Sequence, residues 1–543
     1  WEKKPGEVGF NKYALERIAL DIKNSSYGCG SPETGFQLQK YQSVIEALTR
    51  KQTSIRRLGI SLPTGSGKTL TAIRILNNWY DVPLAKVAIF PTQTIVSEFI
   101  GDMLKFDSKW RDFIVREAGA RNLRLYRKVG GKDKINAPVV QQIIGLVGRL
   151  SYAGSEGYPA GPLRIFSYSS AGGAVAFGKN KNPVFKFGKT KVEQNGNAYN
   201  KMQVIMDEVH NLAVQADTNR VKKLGASLYD AVGAYVVGMT ATWGSSLEEV
   251  KTLLQIIKGK EYAQTTTDQG FFTHYDVFPG ELFAETKPSN PRAVLPTLIP
   301  VVLEGKNLIE YLKKRKKIIK TKTSEKREIA LASYENSWVY YGQQGKHLQM
   351  AMKNPAAVSS KFAAIVEHIK ATPKKRRMLL VHRKDCFKLL VAALVGDPDI
   401  GFYRKKGTDK CPKDKNCLVT LYDGNNASKN MLDAWNKDEG GCVIADRKAY
   451  STGVSFLKVR EMILVDVPET THEYLQAIGR SLRLCGHNSL TAAKRKLDYL
   501  MYFAVLPDDG SGQKIDTAEQ VFAKRIHDDL PNTVKLGQKL QAL

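Results

Sequence analysis

The sequence predicts an α/β protein of two parallel-sheet domains, each flanked by helices and separated by a connecting insertion. Three observations carry this reading. Short apolar runs alternate with amphipathic helical stretches over residues 36–245, the alternation resumes over 356–510, and between these ranges the pattern breaks. The 543 residues suit about three domains at roughly 100–200 residues each. A hydrophobic share of 43% is enough to fill such cores.

Residues 1–35 form an N-terminal extension. In the first domain Leu58-Gly59-Ile60, Val87-Ala88-Ile89-Phe90, Leu163–Tyr168, Val204-Ile205-Met206 and Tyr235–Met239 read as strands, the second ended by Pro91. The Gly/Asn/Lys-rich stretch 172–200 reads as a long hairpin or loop displaying Lys179, Lys181, Lys186, Lys189 and Lys191. Residues 246–355 read as the insertion. Pro, Thr and Gly punctuate 263–300, and a basic run follows at Lys313, Lys314, Arg315, Lys316, Lys317, Lys320 and Lys322. In the second domain Met378–Val381, Cys442–Ala445 and Met462–Val465 look like buried parallel strands, with Tyr499–Val505 the last. Residues 511–543 close the chain as a polar tail with an amphipathic helix.

The charge balance points to a partner. With 82 Lys+Arg against 53 Asp+Glu the net charge is +29, which attracts a polyanion, nucleic acid before membrane. Six scattered cysteines are no disulfide framework, and Cys411 and Cys417 lack the second pair that a zinc site needs. No apolar run is long enough to span a bilayer and no signal-peptide pattern is visible, so an intracellular location is expected. Because the chain opens at Trp1 rather than Met, its true N-terminus is expected to lie outside this sequence.

Leu62-Pro63-Thr64-Gly65-Ser66-Gly67-Lys68-Thr69 lies between an apolar strand and a helix. Glycines there let backbone N–H groups turn toward phosphate oxygens, and the helix N-terminus adds its positive dipole end. Gly65, Ser66, Gly67, Lys68 and Thr69 are therefore candidate nucleotide-binding residues, with Lys68 reaching the β/γ-phosphates and Thr69 a Mg²⁺ ligand. Leu62 stands where the general pattern has Gly. Met206-Asp207-Glu208-Val209-His210 places an acidic pair at the carboxyl end of a buried strand, where ligands bind in open α/β sheets. Asp207 is assigned to Mg²⁺ and Glu208 to the attacking water. Taken alone, such a pair is more often only a helix N-terminus; the phosphate loop upstream favours the catalytic assignment.

These residues resemble the DExH branch of helicase superfamily 2, and further stretches resemble its other motifs in order. The resemblance implies two tandem RecA-like domains that bind ATP with Mg²⁺. Leu38-Gln39-Lys40-Tyr41-Gln42 resembles the motif whose Gln reads adenine, which implies that role for Gln42. Phe90–Ile95 and Ser167–Ser170 resemble motifs that touch the nucleic-acid backbone, implying contacts from Pro91, Thr92, Ser167 and Tyr168. Thr240-Ala241-Thr242 matches the Ser/Thr-Ala-Thr motif. With His210 it implies coupling of hydrolysis to movement through Thr240 and Thr242.

In the second domain Ser451–Phe456 resembles the motif contacting backbone and nucleotide, here through Thr452 and Gly453. Gln476–Arg483 matches the arginine-finger motif. A spacing of three puts Arg480 and Arg483 on one face of a helix. The resemblance implies that Gln476, Arg480 and Arg483 act on the γ-phosphate; by itself the pair would be a solvated helix face. A narrower likeness, over Gly453–Arg460 and Gln476–His487, is to the family of poxvirus nucleoside triphosphatases and the helicase-like subunit of poxvirus early transcription factor. Gly486 departs from the Ser usual in that family. The implied activity is an ATP-driven helicase or translocase gripping DNA or RNA mainly by its backbone, in viral transcription. RNA polymerase or other transcription proteins are the implied partners, and the virus factory and virion the implied location. The alternative is a transcription-factor ATPase that remodels without processive unwinding. A restriction-system motor is a third option, lacking a convincing nuclease motif.

Overall fold

Near-continuous apolar strands need cover on both faces, and the computed structural model supplies it twice. It describes residues 13, 16, 38, 40–51, 53, 56–62, 65–119, 128–129, 132–133, 136–149, 156–174, 176–177, 183–187, 190–193, 197–214, 219–241, 243–244, 247–260, 277–278, 295–321, 324–339, 345–373, 375–381, 384–403, 410, 417–422, 426–437, 441–446, 454–482, 486–487, 489–491, 494–508 and 515–541. Contacts divide the chain into residues 1–288 with 532–543, and residues 289–531.

In the first unit the strands are β1 (Arg57–Ser61), β2 (Lys86–Phe90), β3 (Lys128–Val129), β4 (Lys132–Asp133) and β5 (Leu163–Ser167). There follow β6 (Ala176–Phe177), β7 (Pro183–Phe187), β8 (Thr190–Glu193), β9 (Gln203–Asp207), β10 (Tyr235–Thr240) and β11 (Val277–Phe278). Six of them form an all-parallel sheet in the order β11-β1-β10-β9-β2-β5. Strand alternation sends Ala88 and Ile205 into one core with Ile75, Phe99 and Trp110. Val87, Ile89, Val204 and Met206 enter the other, with Leu224 and Leu253. Gly238 of β10 has room only for hydrogen: a Cβ would stand 2.6 Å from Ile257 Cδ1, on the helix Leu247–Lys258. Arg57 is buried at the start of β1 because its guanidinium donates to the carbonyls of Leu228, Ala231 and Ile257 at 3.2, 2.6 and 3.0 Å. Two of these carbonyls lie in the last turns of helices, where the backbone dipole favours a cation.

The second unit holds β12 (Thr297–Val302), β13 (Arg377–Val381), β14 (Gly401–Tyr403), β15 (Cys417–Tyr422), β16 (Cys442–Asp446), β17 (Glu461–Leu464) and β18 (Asp498–Val505). All are parallel, in the order β12-β18-β17-β13-β16-β15-β14. Met378, Leu380, Val443, Met462 and Leu464 face one core. Leu379, Val381, Ile444, Ile463 and Val465 face the other. The fold class is thus two parallel sheets flanked by helices, as tandem RecA-like domains have.

The described elements of the stretch 246–355 pack into the two units. The helix Leu247–Lys258 buries Val250, Leu253, Leu254 and Ile257 in the first unit's core. Thr297–Val302 is the edge strand of the second sheet, a place that tolerates Pro300 because an edge strand can spare an N–H. The helices Gly305–Thr321 and Ser324–Asn336 put Tyr311, Ile318 and Leu331 into the second core. Much of the tail is core as well: in the helix Ala518–Gln541, Ala518, Phe522, Ala523, Ile526 and Leu530 pack there. The Gly/Asn/Lys-rich stretch contains an antiparallel three-stranded sheet, β6-β7-β8, while Lys179, Lys181 and Lys189 lie outside the described residues. The basic run sits on the helix Gly305–Thr321 with Lys313, Lys316, Lys317 and Lys320 exposed, and Lys322 lies outside the described residues. Among the described residues no helix is long and apolar enough to cross a membrane.

Candidate active site

Parallel strands deliver their carboxyl ends to one edge, and here the register aligns Ser61 with Thr240 and Met239 with Asp207. β1 leads into the phosphate loop, tied to β10 by Leu62 N donating to Thr240 O at 2.9 Å. Gly65 and Gly67 have φ of 85° and 82°, the left-handed region that glycine enters without steric cost. Gly67 caps the helix Lys68–Asn78, and a Cβ on it would meet Gln42 Nε2 at 2.7 Å. Gln42 donates from that nitrogen to Ser66 O at 3.4 Å and Gly67 O at 3.3 Å. Tyr41 also donates its hydroxyl to Ser66 O, and burial raises its phenol far above the usual range. Glu46, on the helix carrying both, pairs with Arg74 of the phosphate-loop helix at 3.0 Å. The loop is therefore braced by the helix Lys40–Leu48, and Tyr41 is a bracing residue that the motif reading missed.

The acidic pair closes the site. Lys68 Nζ lies 2.9 Å from Glu208 Oε1, both largely buried. Glu208 Oε2 accepts from Thr240 Oγ1 at 3.2 Å and lies 3.4 Å from His210 Nδ1, and that nitrogen is 2.9 Å from Thr240 Oγ1. His210 and Thr240 are buried, so sequence motifs on β9 and β10 meet at one carboxylate. Glu208 has φ 52°, a conformation that costs a non-glycine residue about 1–2 kcal/mol. Asn211, also missed, steadies it by donating Nδ2 to Glu208 O at 2.7 Å. Asp207 is 9% exposed, and its Oδ1 accepts from Glu208 N at 3.1 Å. Thr69, at the second position of the phosphate-loop helix, and Asp207 offer an oxygen-only donor set, which fits Mg²⁺. Among the described residues no group of three or more His, Cys, Asp or Glu could hold a metal by itself.

Residues 34–245 match the family model described as "Type III restriction enzyme, res subunit". This supports helicase superfamily 2. No curated protein matches the chain. Among solved structures it is similar to the Hef helicase domain of Pyrococcus furiosus, at 12% identity over 86% of this chain and 95% of that one, with TM-score 0.40. It is also similar to the ATP-dependent type ISP restriction-modification enzyme LlaBIII bound to DNA, at 11% identity and TM-score 0.49. That match covers 92% of this chain but only 30% of LlaBIII.

The residues assigned to the nucleic-acid groove divide. Thr92 is exposed and caps the helix Gln93–Met103, accepting from Ile95 N at 3.3 Å; Pro91 beside it is half-buried. Ser167 and Tyr168 point inward instead. Ser167 is buried and donates to Ser170 Oγ at 2.9 Å. Tyr168 is fully buried and donates to Asp207 O at 3.0 Å. The chain turns from β5 into a helix at Tyr168, which directs that side chain under the sheet edge and leaves Ser169 and Ser170 exposed.

In the second unit the helix Thr471–Ser481 is capped by Thr470, which accepts from Glu473 N at 3.2 Å. Gln476 and Arg480 lie on its partly exposed face, with Gln476 Nε2 2.9 Å from His472 Nε2. The helix stops at Ser481 and Leu482 leaves helical geometry. Arg483, expected on one helical face with Arg480, lies outside the described residues, as do Thr242, Thr452 and Gly453. Backbone bonds join the two stretches that carry the narrower resemblance. Phe456 N donates to Arg480 O at 3.2 Å and Lys458 N to Gly486 O at 3.0 Å.

Proposed function

We propose that the chain is a DExH-type ATPase stimulated by nucleic acid, using ATP hydrolysis to move on or remodel DNA or RNA. One observation carries the reading: the carboxylate suited to activate water is ion-paired, at 2.9 Å, with the phosphate-loop lysine. Backbone N–H groups of the loop and the N-terminus of the helix Lys68–Asn78 take the β/γ-phosphates, and Lys68 neutralises their charge. Once phosphate competes for Lys68, Glu208 is free to orient the attacking water and accept its proton. Thr69 and Asp207 are the residues to hold Mg²⁺, which when bound offsets charge on the phosphate oxygens. Gln42 serves adenine recognition, and Gln476, Arg480, Arg483 and Gly453 serve the γ-phosphate and nucleotide, as the resemblance implies. His210, Thr240 and Thr242 couple hydrolysis to movement, and the net charge of +29 supports backbone-dominated binding with strong salt dependence.

The finer reading is an intracellular motor of viral transcription, working with RNA polymerase or other transcription proteins; it rests on the poxvirus-type likeness. The match of residues 34–245 to the res-subunit model favours a second reading, the motor of a restriction system. ATPase turnover of wild type and Glu208→Gln, with and without single-stranded DNA, single-stranded RNA and duplex DNA, tests all of these. Stimulation by a single strand, lost in the variant, supports the helicase or translocase. Stimulation by duplex DNA alone supports the restriction motor. Hydrolysis without stimulation supports a remodelling subunit that needs a protein partner, and a wild type without hydrolysis under any condition overturns the proposal.

A further inference from the structure

Tyr168 follows β5 directly, and in the sheet β2 separates β5 from β9. Its hydroxyl nevertheless reaches the end of β9 and donates to Asp207 O at 3.0 Å. That carbonyl belongs to the peptide leading into Glu208, whose left-handed φ of 52° persists only where its surroundings over-determine it. Within the turn, Glu208 N donates to Asp207 Oδ1 at 3.1 Å, and Asn211 donates to Glu208 O from N at 3.0 Å and Nδ2 at 2.7 Å. Val209 N donating to Met239 O at 3.0 Å and the Tyr168 hydroxyl donating to Asp207 O at 3.0 Å both tie the backbone of the turn to the rest of the unit.

We propose that Tyr168 is a positioning residue for the water-activating carboxylate. Its hydroxyl fixes the Asp207–Glu208 peptide so that the Glu208 side chain meets Lys68 and Thr240, at 2.9 and 3.2 Å. The aromatic ring belongs to the buried apolar cluster that includes Val87, Ile89 and Met206, a place that Phe can fill. The inference rests on the ATPase reading and assigns regulation of that site's geometry to a residue outside the acidic motif.

The test is Tyr168→Phe in the full chain. Losing one hydrogen bond to the backbone that carries the base is expected to lower kcat about tenfold, with ATP KM and affinity for a non-hydrolysable ATP analogue unchanged. A merely structural role would instead weaken nucleotide affinity and lower the unfolding midpoint along with kcat, and that outcome overturns the proposal, as does a kcat within about twofold of wild type. A crystal structure of the variant provides a readout independent of turnover. Glu208 is expected to leave the left-handed region or to separate from Lys68; unchanged geometry refutes the positioning role. If the wild type hydrolyses no ATP, the ATPase reading falls, while the crystal structure still decides whether the hydroxyl positions Glu208.

Discussion

Replacing Glu461 by Gln removes the anion from a buried ion cluster in the second unit. Glu461 opens β17 with its side chain 3% exposed, and accepts from Arg377 Nε at 2.5 Å and Lys375 Nζ at 2.8 Å. His368 Nε2 lies 3.3 Å away, a charge partner while its ring is protonated. Burial pushes the Glu461 carboxyl up, but His368, Lys375 and Arg377 together outweigh it and bring it from 4.5 down to about 2. A folded-state value below the unfolded one stabilises the fold fully above about pH 4.5, and the contribution is lost as pH falls toward 2. At 1.36 kcal/mol per pH unit the gap corresponds to about 3 kcal/mol, of which about 2 kcal/mol disappears between pH 7 and pH 3. Gln cannot ionise, and it leaves the fully buried Arg377 without its carboxylate. Amide exchange of β13 and β17 in the whole chain reads the local opening free energy. The variant should exchange faster at pH 7, with the difference from wild type shrinking by about 2 kcal/mol at pH 3. An equal difference at both pH values would refute the assignment of the depressed carboxyl to this cluster.

Two further substitutions probe the site itself. Thr240→Val keeps the shape of a buried side chain but removes the hydroxyl between His210 Nδ1 at 2.9 Å and Glu208 Oε2 at 3.2 Å. A hydrogen bond to a charged group is worth about 1.5–3 kcal/mol, so kcat should fall about tenfold to a hundredfold at unchanged ATP KM. A rise in KM without loss of kcat in steady-state assays would contradict that. Gly67→Ala forces a Cβ to within 2.7 Å of Gln42 Nε2 at a φ of 82°. Strain of about 1–2 kcal/mol should weaken ATP binding about tenfold by titration calorimetry, and an unchanged Kd would argue against a strained loop.

Both sheets were legible because strands such as Val87–Phe90 and Met462–Val465 are apolar without interruption, which only two-sided burial explains. The edge strand Thr297–Val302 was not, since its half-exposed residues and Pro300 read as a connecting segment. The helix Leu247–Lys258 was equally opaque: amphipathic spacing reveals that a face is buried, not which core receives it. The end of the helix at Ser481 was not legible either, because a motif's spacing carries no signal that Leu482 leaves helical geometry. Tyr168 was read as a groove contact for a related reason, as its direction depends on where β5 turns into a helix.

The sequence by itself determined where the candidate phosphate loop and acidic pair lie, because each is a run of neighbouring residues: Gly65–Thr69 and Asp207-Glu208 sit where a strand ends, whatever surrounds them. Only the tertiary structure decided what holds them. Lys68, Tyr168, Thr240 and His210 converge on one turn because parallel register brings the carboxyl ends of β1, β5, β9 and β10 to the same edge, joining residues that are distant along the chain.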